Sequence, residues 1–240
     1  MTAPRFSLVI PCYNEAANLP LLIARCRESL SGRGVEIVLV DNGSTDNSAE
    51  VLETLIAGDS DIRSVRVGKN QGYGFGILSG LRAARGDVLG WTHADMQTDP
   101  ADFLRAAAIF DSSATPETVF VKGRRRGRPP GDEFFTCGMA AFETLLLGRM
   151  LVDINAQPTV FHRRFYDQWS SPPHDFSLDL YAYFQAKAQG LKVERFDVVF
   201  GERAHGTSRW NVNWKAKRKF IERTVNFSFE LRRRMAKERR

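Results

Sequence analysis

Three features are scarce in this 240-residue sequence, and each scarcity excludes a class of protein. The only cysteines are Cys12, Cys26 and Cys137, an odd number without a C-x-x-C pair, which argues against a disulfide framework and for a reducing compartment. No run of about 18 uncharged apolar residues occurs, so we predict no membrane-spanning helix. The start leads directly into the strand-like FSLVIP, and we expect no signal peptide.

Positive charge is concentrated at one end of the chain. The net charge is +6, yet residues 209–240 contain twelve Lys and Arg against three Glu, a local balance of +9 that leaves −3 for the first 208 residues. A basic tail on a mildly acidic body favours an anionic partner surface, either a membrane or a nucleic acid. No recognised nucleic-acid-binding module surrounds the tail, so we expect no nucleic-acid partner.

The first half of the chain alternates strand and helix signals, which is typical of a mostly parallel α/β sheet built from βαβ units. The patterns predict strands at 7–11, 36–40, 62–67, 87–92 and 118–123, and helices at 15–30, 44–58, 71–86 and 101–110. After residue 123 follow a basic Pro/Gly loop, an apolar segment at 134–152, a helix at 175–190 and a strand at 192–200. We divide the chain into one α/β domain, 1–208, and a basic amphipathic helical appendage, 209–240.

Three polar clusters each follow a predicted strand. They read PCYNE after the first strand, DNGSTD after the second and HADMQ after the fourth. In open α/β sheets, ligands bind beyond the carboxyl ends of the strands. One such cluster is weak evidence, because Asp and Asn-Gly are also common turn residues. Three in order predict a ligand site at this edge.

The sequence resembles the GT-A glycosyltransferases of family 2. The resemblance lies in VIPCYNE, VLVDNGSTD, GKNQGYGFGILSGLRAARGD and HADMQTDP, and the late segment ERAHGTSRWN is similar to the R-x-x-G-x-S-[K/R] motif of the dolichyl-phosphate mannose synthase-like branch. It covers roughly residues 5–215. The resemblance implies a GT-A fold in which residues of about 1–123 bind a GDP- or UDP-sugar and residues 124–208 bind the acceptor.

Donor-binding residues are implied by the same resemblance. Asp41 can accept a hydrogen bond from the nucleotide base, which discriminates strongly between bases when the group is buried. Other implied donor contacts are Pro11, Tyr13, Glu15, Asn70, His93, Ala94 and Arg209.

A divalent cation, Mg²⁺ or Mn²⁺, is implied by the D-x-D motif of the family, which reads His93-Ala94-Asp95 in this chain. Asp95 matches the carboxylate that binds the cation, and Gln97 matches a further ligand position. A cation held by few protein oxygens stabilises the negative charge that develops on a departing diphosphate. His93 departs from the pattern: it could contact ribose, join the cation's ligands in favour of Mn²⁺, or only pack at the strand end with cation binding weakened.

Basic residues are implied in two further roles. Arg203 and Arg209 match positions that neutralise diphosphate charge, for which the guanidinium fork is suited. Arg125 matches an arginine that meets the acceptor phosphate, and Ser208 is placed beside it. We interpret Lys122 and its other basic neighbours, Arg124, Arg126 and Arg128, as solvated charges or lipid-headgroup contacts.

The acceptor decides whether a base is needed. A hydroxyl acceptor requires a general base, whereas a polyprenyl phosphate is already anionic. Asp175 and Asp179 lie where inverting relatives carry a catalytic carboxylate, although either could instead stabilise a helix start. The resemblance favours inverting transfer of a hexose to polyprenyl phosphate at the cytoplasmic membrane face. A saccharide-hydroxyl acceptor and a non-catalytic nucleotide-sugar-binding protein are the alternatives.

Two segments are candidates for peripheral membrane contact. Residues 134–152 and 210–235 combine an apolar side with basic flanks, and such helices can lie in the bilayer interface without crossing it. Each Lys or Arg near an anionic leaflet contributes about 1 kcal/mol. The alternative is that both segments pack on the domain or in a dimer interface. The sequence leaves the oligomeric state open.

Overall fold

The computed structural model describes residues 4–128, 130–205 and 214–238. Within these ranges seven strands form one sheet in the order β3-β2-β1-β4-β6-β5-β7. The strands are β1 Phe6–Cys12, β2 Val35–Asp41, β3 Ile62–Arg66, β4 Val88–Trp91, β5 Val119–Arg126, β6 Thr159–His162 and β7 Lys192–Val199. Strand β6 runs antiparallel to both of its neighbours, and the other pairs are parallel. The predicted mostly parallel α/β sheet is therefore confirmed.

Helices cover both faces of the sheet. They are α1 Leu19–Leu30, α2 Ser48–Leu55, α3 Tyr73–Ala83, α4 Asp102–Ser112, α5 Pro130–Leu147, α6 Arg163–Tyr166, α7 Ser177–Ala188 and α8 Trp214–Glu238. One hydrophobic cluster joins the sheet to α1, α2 and α4, and a second joins it to α3, α7 and α8. Each face of the sheet therefore has its own core, as expected for a doubly covered parallel sheet.

Helix α1 begins later than the sequence pattern predicts. Asn14 has a positive φ of 55°, so the chain turns sharply directly after β1. The helix then starts at Leu19, with Pro20 in its first turn, where a missing N–H costs nothing. The residues between β1 and α1 therefore form a loop at the carboxyl edge of the sheet.

Strand β6 and the short helix α6 were missed in the sequence pattern. Strand β6 has only four residues, Thr159 to His162, which is too short a run to show a period. Their antiparallel pairing with β4 and β5 fills the sheet between two strands that are parallel to each other. Strands β1 to β4 are thereby joined to β5 and β7 in a single sheet.

Helices α5 and α8 pack against each other, and α8 also packs on α7. Phe227 and Leu231 of α8 are buried in the second core, and Phe142 meets Phe229 edge-on at 6.3 Å between ring centroids. Buried Ser228 donates a hydrogen bond of 2.7 Å to Glu143 of α5. One side of the basic helix is thus part of the domain. The predicted boundary at residue 208 lies outside the described residues.

None of the helices in the described ranges has the length and apolar character needed to cross a membrane.

Candidate functional site

The loops after β1 and β2 are tied to each other. Cys12 and Asp41 are neighbours in the parallel register, so both strands end at the same level. The Asn14 side-chain oxygen accepts from Thr45 N at 2.8 Å, and Ser44 Oγ accepts from Asn14 N at 3.1 Å. Two of the predicted polar clusters therefore form one surface.

Asp41 is almost fully buried at this surface, with 3% of the residue exposed. Its Oδ1 accepts from Ser44 N at 2.9 Å, and its Oδ2 lies 3.7 Å from Arg66 Nε. The hydrogen bond from Ser44 fixes the conformation of the loop after β2, and Oδ2 faces the more exposed guanidinium of Arg66. A buried carboxylate in this position is suited to recognise a donor group of a ligand such as a nucleotide base.

A third loop, 67–72, packs directly against the second. Gly43 has φ +72°, and a Cβ at this position would collide with the backbone of Lys69 and Asn70. Asn70 Oδ1 accepts from Gly72 N at 2.9 Å, which shapes the loop before α3. Pro11 and Tyr13, at the end of β1 and just beyond it, are half-buried. The predicted donor contacts from the first three strands therefore lie along one edge.

Arg203 brings the fourth strand end into this edge. Its Nη2 is 2.7 Å from Asp95 Oδ2, and its Nη1 is 3.6 Å from Glu15 Oε1. The three side chains are 24%, 10% and 16% exposed, so the charges lie in a partly dehydrated setting where pairing is strong. Residues that are far apart in sequence, 15, 95 and 203, thus meet at one point.

The segment that carries Arg203 is anchored at two places. Gln97 holds Gly201 with two hydrogen bonds, Gly201 N to the Gln97 carbonyl at 2.8 Å and Gln97 Nε2 to the Gly201 carbonyl at 3.2 Å. Asn18 Nδ2 donates to the His205 carbonyl at 3.3 Å. Gln97, predicted as a cation ligand, therefore also positions the arginine segment. Ser208 and Arg209 lie outside the described residues.

His93 is half-buried and belongs to an aromatic stack. Its ring lies 5.4 Å from that of Tyr73, the first residue of α3, and Tyr73 lies 4.5 Å from Phe176 at an interplanar angle of 11°. Ala94, between His93 and Asp95, is buried. The histidine thus packs on Tyr73, two residues before Asp95 in the chain.

Asp179 lies beneath this stack, 1% exposed. Its Oδ1 accepts from Gln157 Nε2 at 2.7 Å and from Trp91 Nε1 at 3.3 Å, and it lies 3.7 Å from Lys122 Nζ. A general base needs contact with the acceptor's proton, and burial among these donors removes that access. The Asp179 carboxylate is therefore held by side chains of the protein interior.

Lys122 is fully buried, which corrects its interpretation as a solvated or lipid-facing charge. Its Nζ donates to the Ala156 carbonyl at 2.9 Å and to Thr159 Oγ1 at 2.8 Å. Burial lowers its pKa to about 8, against the opposing effect of Asp179. Side chains two apart on a strand share a face. The apolar residue Phe120, which is buried, is therefore the signal in the sequence that could have identified Lys122 as buried too.

Asp175 caps the start of α7 rather than standing free. Its Oδ1 accepts from Ser177 N at 2.9 Å, and its Oδ2 lies 3.4 Å from Arg223 of α8. Beside it, a groove of about 930 Å³ runs between α8 and the loop 171–175 and reaches Gly72. The predicted alternative, a charge that stabilises a helix start, describes the geometry of Asp175.

Arg125 is engaged inside the protein. Its side chain is 10% exposed and forms an ion pair with Asp153, with Nε 2.8 Å from Asp153 Oδ1, while its backbone N–H donates to Oδ2 at 2.8 Å. The Arg125 guanidinium helps to hold the pKa of Asp153 below its usual value despite the burial that opposes this. An acceptor phosphate would have to compete with Asp153 for this arginine.

Within the described ranges, no group of three or more His, Cys, Asp or Glu side chains converges as a metal centre. Two carboxylates of the predicted site, Glu15 and Asp95, both lie within 4 Å of Arg203. Carboxylate oxygens are suited to Mg²⁺ or Mn²⁺, which require only one or two of them when a ligand's phosphate oxygens and water complete the shell. The chemistry of the site therefore fits a sparse cation site.

Comparisons with known proteins give matches to a sequence family, to curated relatives and to solved structures. The chain matches the family model described as Glycosyl transferase family 2 over residues 7–166. It is 42% identical over 102 residues to the undecaprenyl-phosphate 4-deoxy-4-formamido-L-arabinose transferase of Pseudomonas aeruginosa PAO1, covering 41% of this chain and 30% of that protein. The protein of the same name from Pectobacterium carotovorum is 31% identical, covering 85% of this chain and 62% of its own length. The matched part is thus less than two thirds of either relative.

Solved structures show the same fold. A mannosyltransferase from Pyrobaculum calidifontis, in complex with GDP-Man and Mn²⁺, superposes with a TM-score of 0.63 at 20% identity over 86% of this chain and 59% of that chain. Glucosyl-3-phosphoglycerate synthase from Mycobacterium tuberculosis, in complex with Mn²⁺, UDP and glucosyl-3-phosphoglycerate, superposes with a TM-score of 0.72 at 19% identity over 95% and 80%. The predicted GT-A fold is confirmed.

Proposed function

Because this chain belongs to glycosyl transferase family 2, we propose that it transfers a hexose, with inversion, from a nucleotide sugar to a polyprenyl phosphate. The observation that carries the proposal is the meeting of Glu15, Asp95 and Arg203 at the carboxyl ends of β1 and β4, beside buried Asp41. This arrangement offers a base-recognition group and a diphosphate-binding group on one edge. The relatives that share 31–42% of aligned residues are named as transferases to undecaprenyl phosphate.

In this proposal Asp95 holds Mg²⁺ or Mn²⁺, with Gln97 and His93 as further contacts of the cation or the donor. The bound cation would supply positive charge to the diphosphate as the bond to the sugar breaks. Arg203 exchanges its bonds to Asp95 and Glu15 for the diphosphate oxygens, which its fork can bind in pairs. Asp41, with Pro11, Tyr13 and Asn70, holds the nucleoside, and the complexes of the two solved structures with Mn²⁺ and nucleotides support such a role.

The contacts of the two candidate bases, Asp175 and Asp179, favour a phosphate acceptor. Asp179 is buried and accepts bonds from Gln157 and Trp91, and Asp175 caps α7 and pairs with Arg223. A hydroxyl acceptor would require one of them to take a proton, whereas a phosphate oxygen attacks without a base. The shortage of an available base at these two positions is thus compatible with an ionised acceptor.

The surface of α5 supports contact with a membrane on the acceptor side. Phe134 and Leu145 of this helix are 83% and 84% exposed, and Met150 just beyond it is 69% exposed. Arg218, Arg232 and Arg233 are exposed on α8, which packs against α5. An apolar stripe beside basic residues is the pattern of an interfacial helix. These side chains support the proposed peripheral contact with a membrane, which we propose to be on its cytoplasmic face.

The test is a transfer assay with a panel of UDP- and GDP-sugars, short-chain polyprenyl phosphate, and Mn²⁺, Mg²⁺ or a chelator. Metal-dependent transfer to the lipid phosphate is expected. The variant Asp175→Asn separates the acceptor classes: we expect it to keep activity to within roughly threefold, because no base is needed. A loss of about a hundredfold with transfer to a saccharide would instead assign a hydroxyl acceptor, and nucleotide binding without turnover under every condition would assign a binding protein.

A further inference from the structure

His93 is held by a chain of contacts that leads into the protein interior. Trp91 is the last residue of β4, and His93 lies two residues beyond it. Trp91 Nε1 donates to Asp179, and the His93 ring stacks on Tyr73. The strand end therefore reaches the same buried cluster at both positions.

Tyr73 links the two contacts. Burial raises the pKa of its hydroxyl well above the usual value, and the negative charges of Asp179 and Asp95 raise it further, so it is a phenol and not a phenolate. The hydroxyl lies 3.5 Å from Gln157 Nε2, the amide that also bonds Asp179. The ring is held between His93 and Phe176. Tyr73 can therefore transmit the position of the Asp179 carboxylate to the His93 imidazole.

Lys122 supplies the charge that keeps Asp179 in the interior. An unpaired buried carboxylate is costly, and a buried pair is tolerated when further hydrogen bonds satisfy both partners. Lys122 Nζ has two such bonds, to Ala156 and Thr159, and Asp179 has two, from Gln157 and Trp91. Two apolar residues packed in this space would have a lower free energy of burial than the Lys122–Asp179 pair. The pair is therefore better explained by the groups that it positions.

We propose that Asp179 and Lys122 are positioning residues that act through Tyr73 to orient His93 beside Asp95 for the sugar nucleotide. This inference rests on the proposed function, because the histidine must contact the donor or its cation. It replaces the role of Asp179 as a catalytic base with a role in donor binding.

The variant Tyr73→Phe tests the link, because it keeps the stacked ring and removes only the hydroxyl. Tyr181→Phe is the matched control: Tyr181 is also buried, and its hydroxyl bonds the backbone of Ser170 away from His93. The first readout is the ¹⁵N–¹H spectrum of histidine-labelled protein without substrate. The chain has four histidines, and His93→Asn identifies the relevant signals. We expect the His93 signals to move in Tyr73→Phe and to stay in place in Tyr181→Phe.

The second readout is donor kinetics. Tyr73→Phe and Asp179→Asn are expected to raise KM for the donor roughly fivefold with a smaller effect on kcat, as for one lost hydrogen bond in the positioning chain. Unchanged His93 signals in Tyr73→Phe, or a KM equal to that of Tyr181→Phe, would overturn the inference. A fall in kcat of about a hundredfold in Asp179→Asn at unchanged KM would overturn it as well, in favour of a base.

The spectrum distinguishes failure of this inference from failure of the proposed function, since it needs no donor. Displacement of the His93 signals by Tyr73→Phe supports the positioning chain even in a protein that transfers no sugar. Binding of UDP or GDP with Mn²⁺ to His93→Asn as tightly as to the wild type would remove the donor contact on which the inference rests, and would overturn it.

Discussion

The carboxyl edge of the sheet, which we propose to bind the donor and call the donor edge, differs in construction from the α5–α8 pair. At the donor edge, hydrogen bonds join the short loops after β1 and β2, Arg203 joins Glu15 to Asp95 after β4, and Asp41 and Asp95 are buried. The α5–α8 pair packs one side on the domain and leaves apolar side chains such as Leu145 exposed on the other. A preorganised polar edge is suited to a small charged ligand, whereas an exposed apolar stripe is suited to an extended surface.

The largest effect is expected at the donor edge from Asp95→Ala. Removal of the carboxylate that would hold the cation should reduce transfer by about a hundredfold or more, since it removes charge stabilisation of the leaving diphosphate. Transfer assays with Mn²⁺ measure the loss. Asp99→Ala is the control, because Asp99 lies in the same loop but pairs with Arg25. Equal activity of the two variants would contradict the cation assignment.

A smaller effect is expected from Arg203→Gln. Loss of the charge-assisted bonds to diphosphate should weaken UDP or GDP binding about thirtyfold in a calorimetric titration. Without nucleotide the same variant should bind Mn²⁺ more tightly, because Asp95 and Glu15 lose their resident counter-ion. Arg105→Gln, which removes an exposed arginine paired with Asp102, serves as the control. Unchanged nucleotide affinity in Arg203→Gln would show that the arginine does not bind the diphosphate.

The α5 surface is tested by the double variant Phe134→Ser with Leu145→Ser. Binding to vesicles of phosphatidylethanolamine and phosphatidylglycerol, followed by sedimentation, should weaken roughly tenfold as two large apolar side chains are removed. Leu21→Ser, at an exposed apolar position on α1, should bind as the wild type does. If all three proteins sediment equally, the membrane contact lies elsewhere.

The last effect concerns the pH dependence of stability, rather than transfer or binding, at the α5–α8 contact. Burial raises the pKa of Glu143 to about 7, against the opposing bond from Ser228, and its Oε2 has no partner in the described ranges. The folded state therefore binds a proton more tightly than the unfolded state, whose Glu titrates near its ordinary value of 4.5. The stability contribution of Glu143 is full below pH 4.5 and falls by about 3 kcal/mol as the pH rises towards 7.

Thermal unfolding of Glu143→Gln between pH 5 and pH 8 measures this effect. The variant should lose less stability than the wild type over that interval, because glutamine does not ionise. Glu133→Gln, at an exposed position of the same helix, should keep the wild-type slope. The same slope in all three proteins would show that Glu143 is not the responsible group.

The position of the polar residues at the donor edge could be predicted from the sequence because these residues follow strands. Buried strands are recognised in a sequence as short apolar runs. Because the carboxyl ends of parallel strands meet at one edge of the sheet, Asp41 and Asp95 could be placed at the same edge without a structure. The α5–α8 side could not be predicted in the same way. The 134–152 and 210–235 segments are amphipathic, and the pattern does not state which side faces the domain; the structure shows Phe227 and Leu231 packed on it and Phe134 exposed.

The sequence by itself determined the α/β class, the order of the first strands along the chain and the side-chain chemistry at their ends. These properties depend on local apolar patterns and on residue type. Only the tertiary structure decided that Lys122 is buried with Asp179, that Asp175 caps α7, and that Arg203 pairs with Asp95 across 108 positions. Such pairings depend on how distant segments of the chain pack. The type of a charged residue does not show whether its side chain faces water or a buried partner of opposite charge.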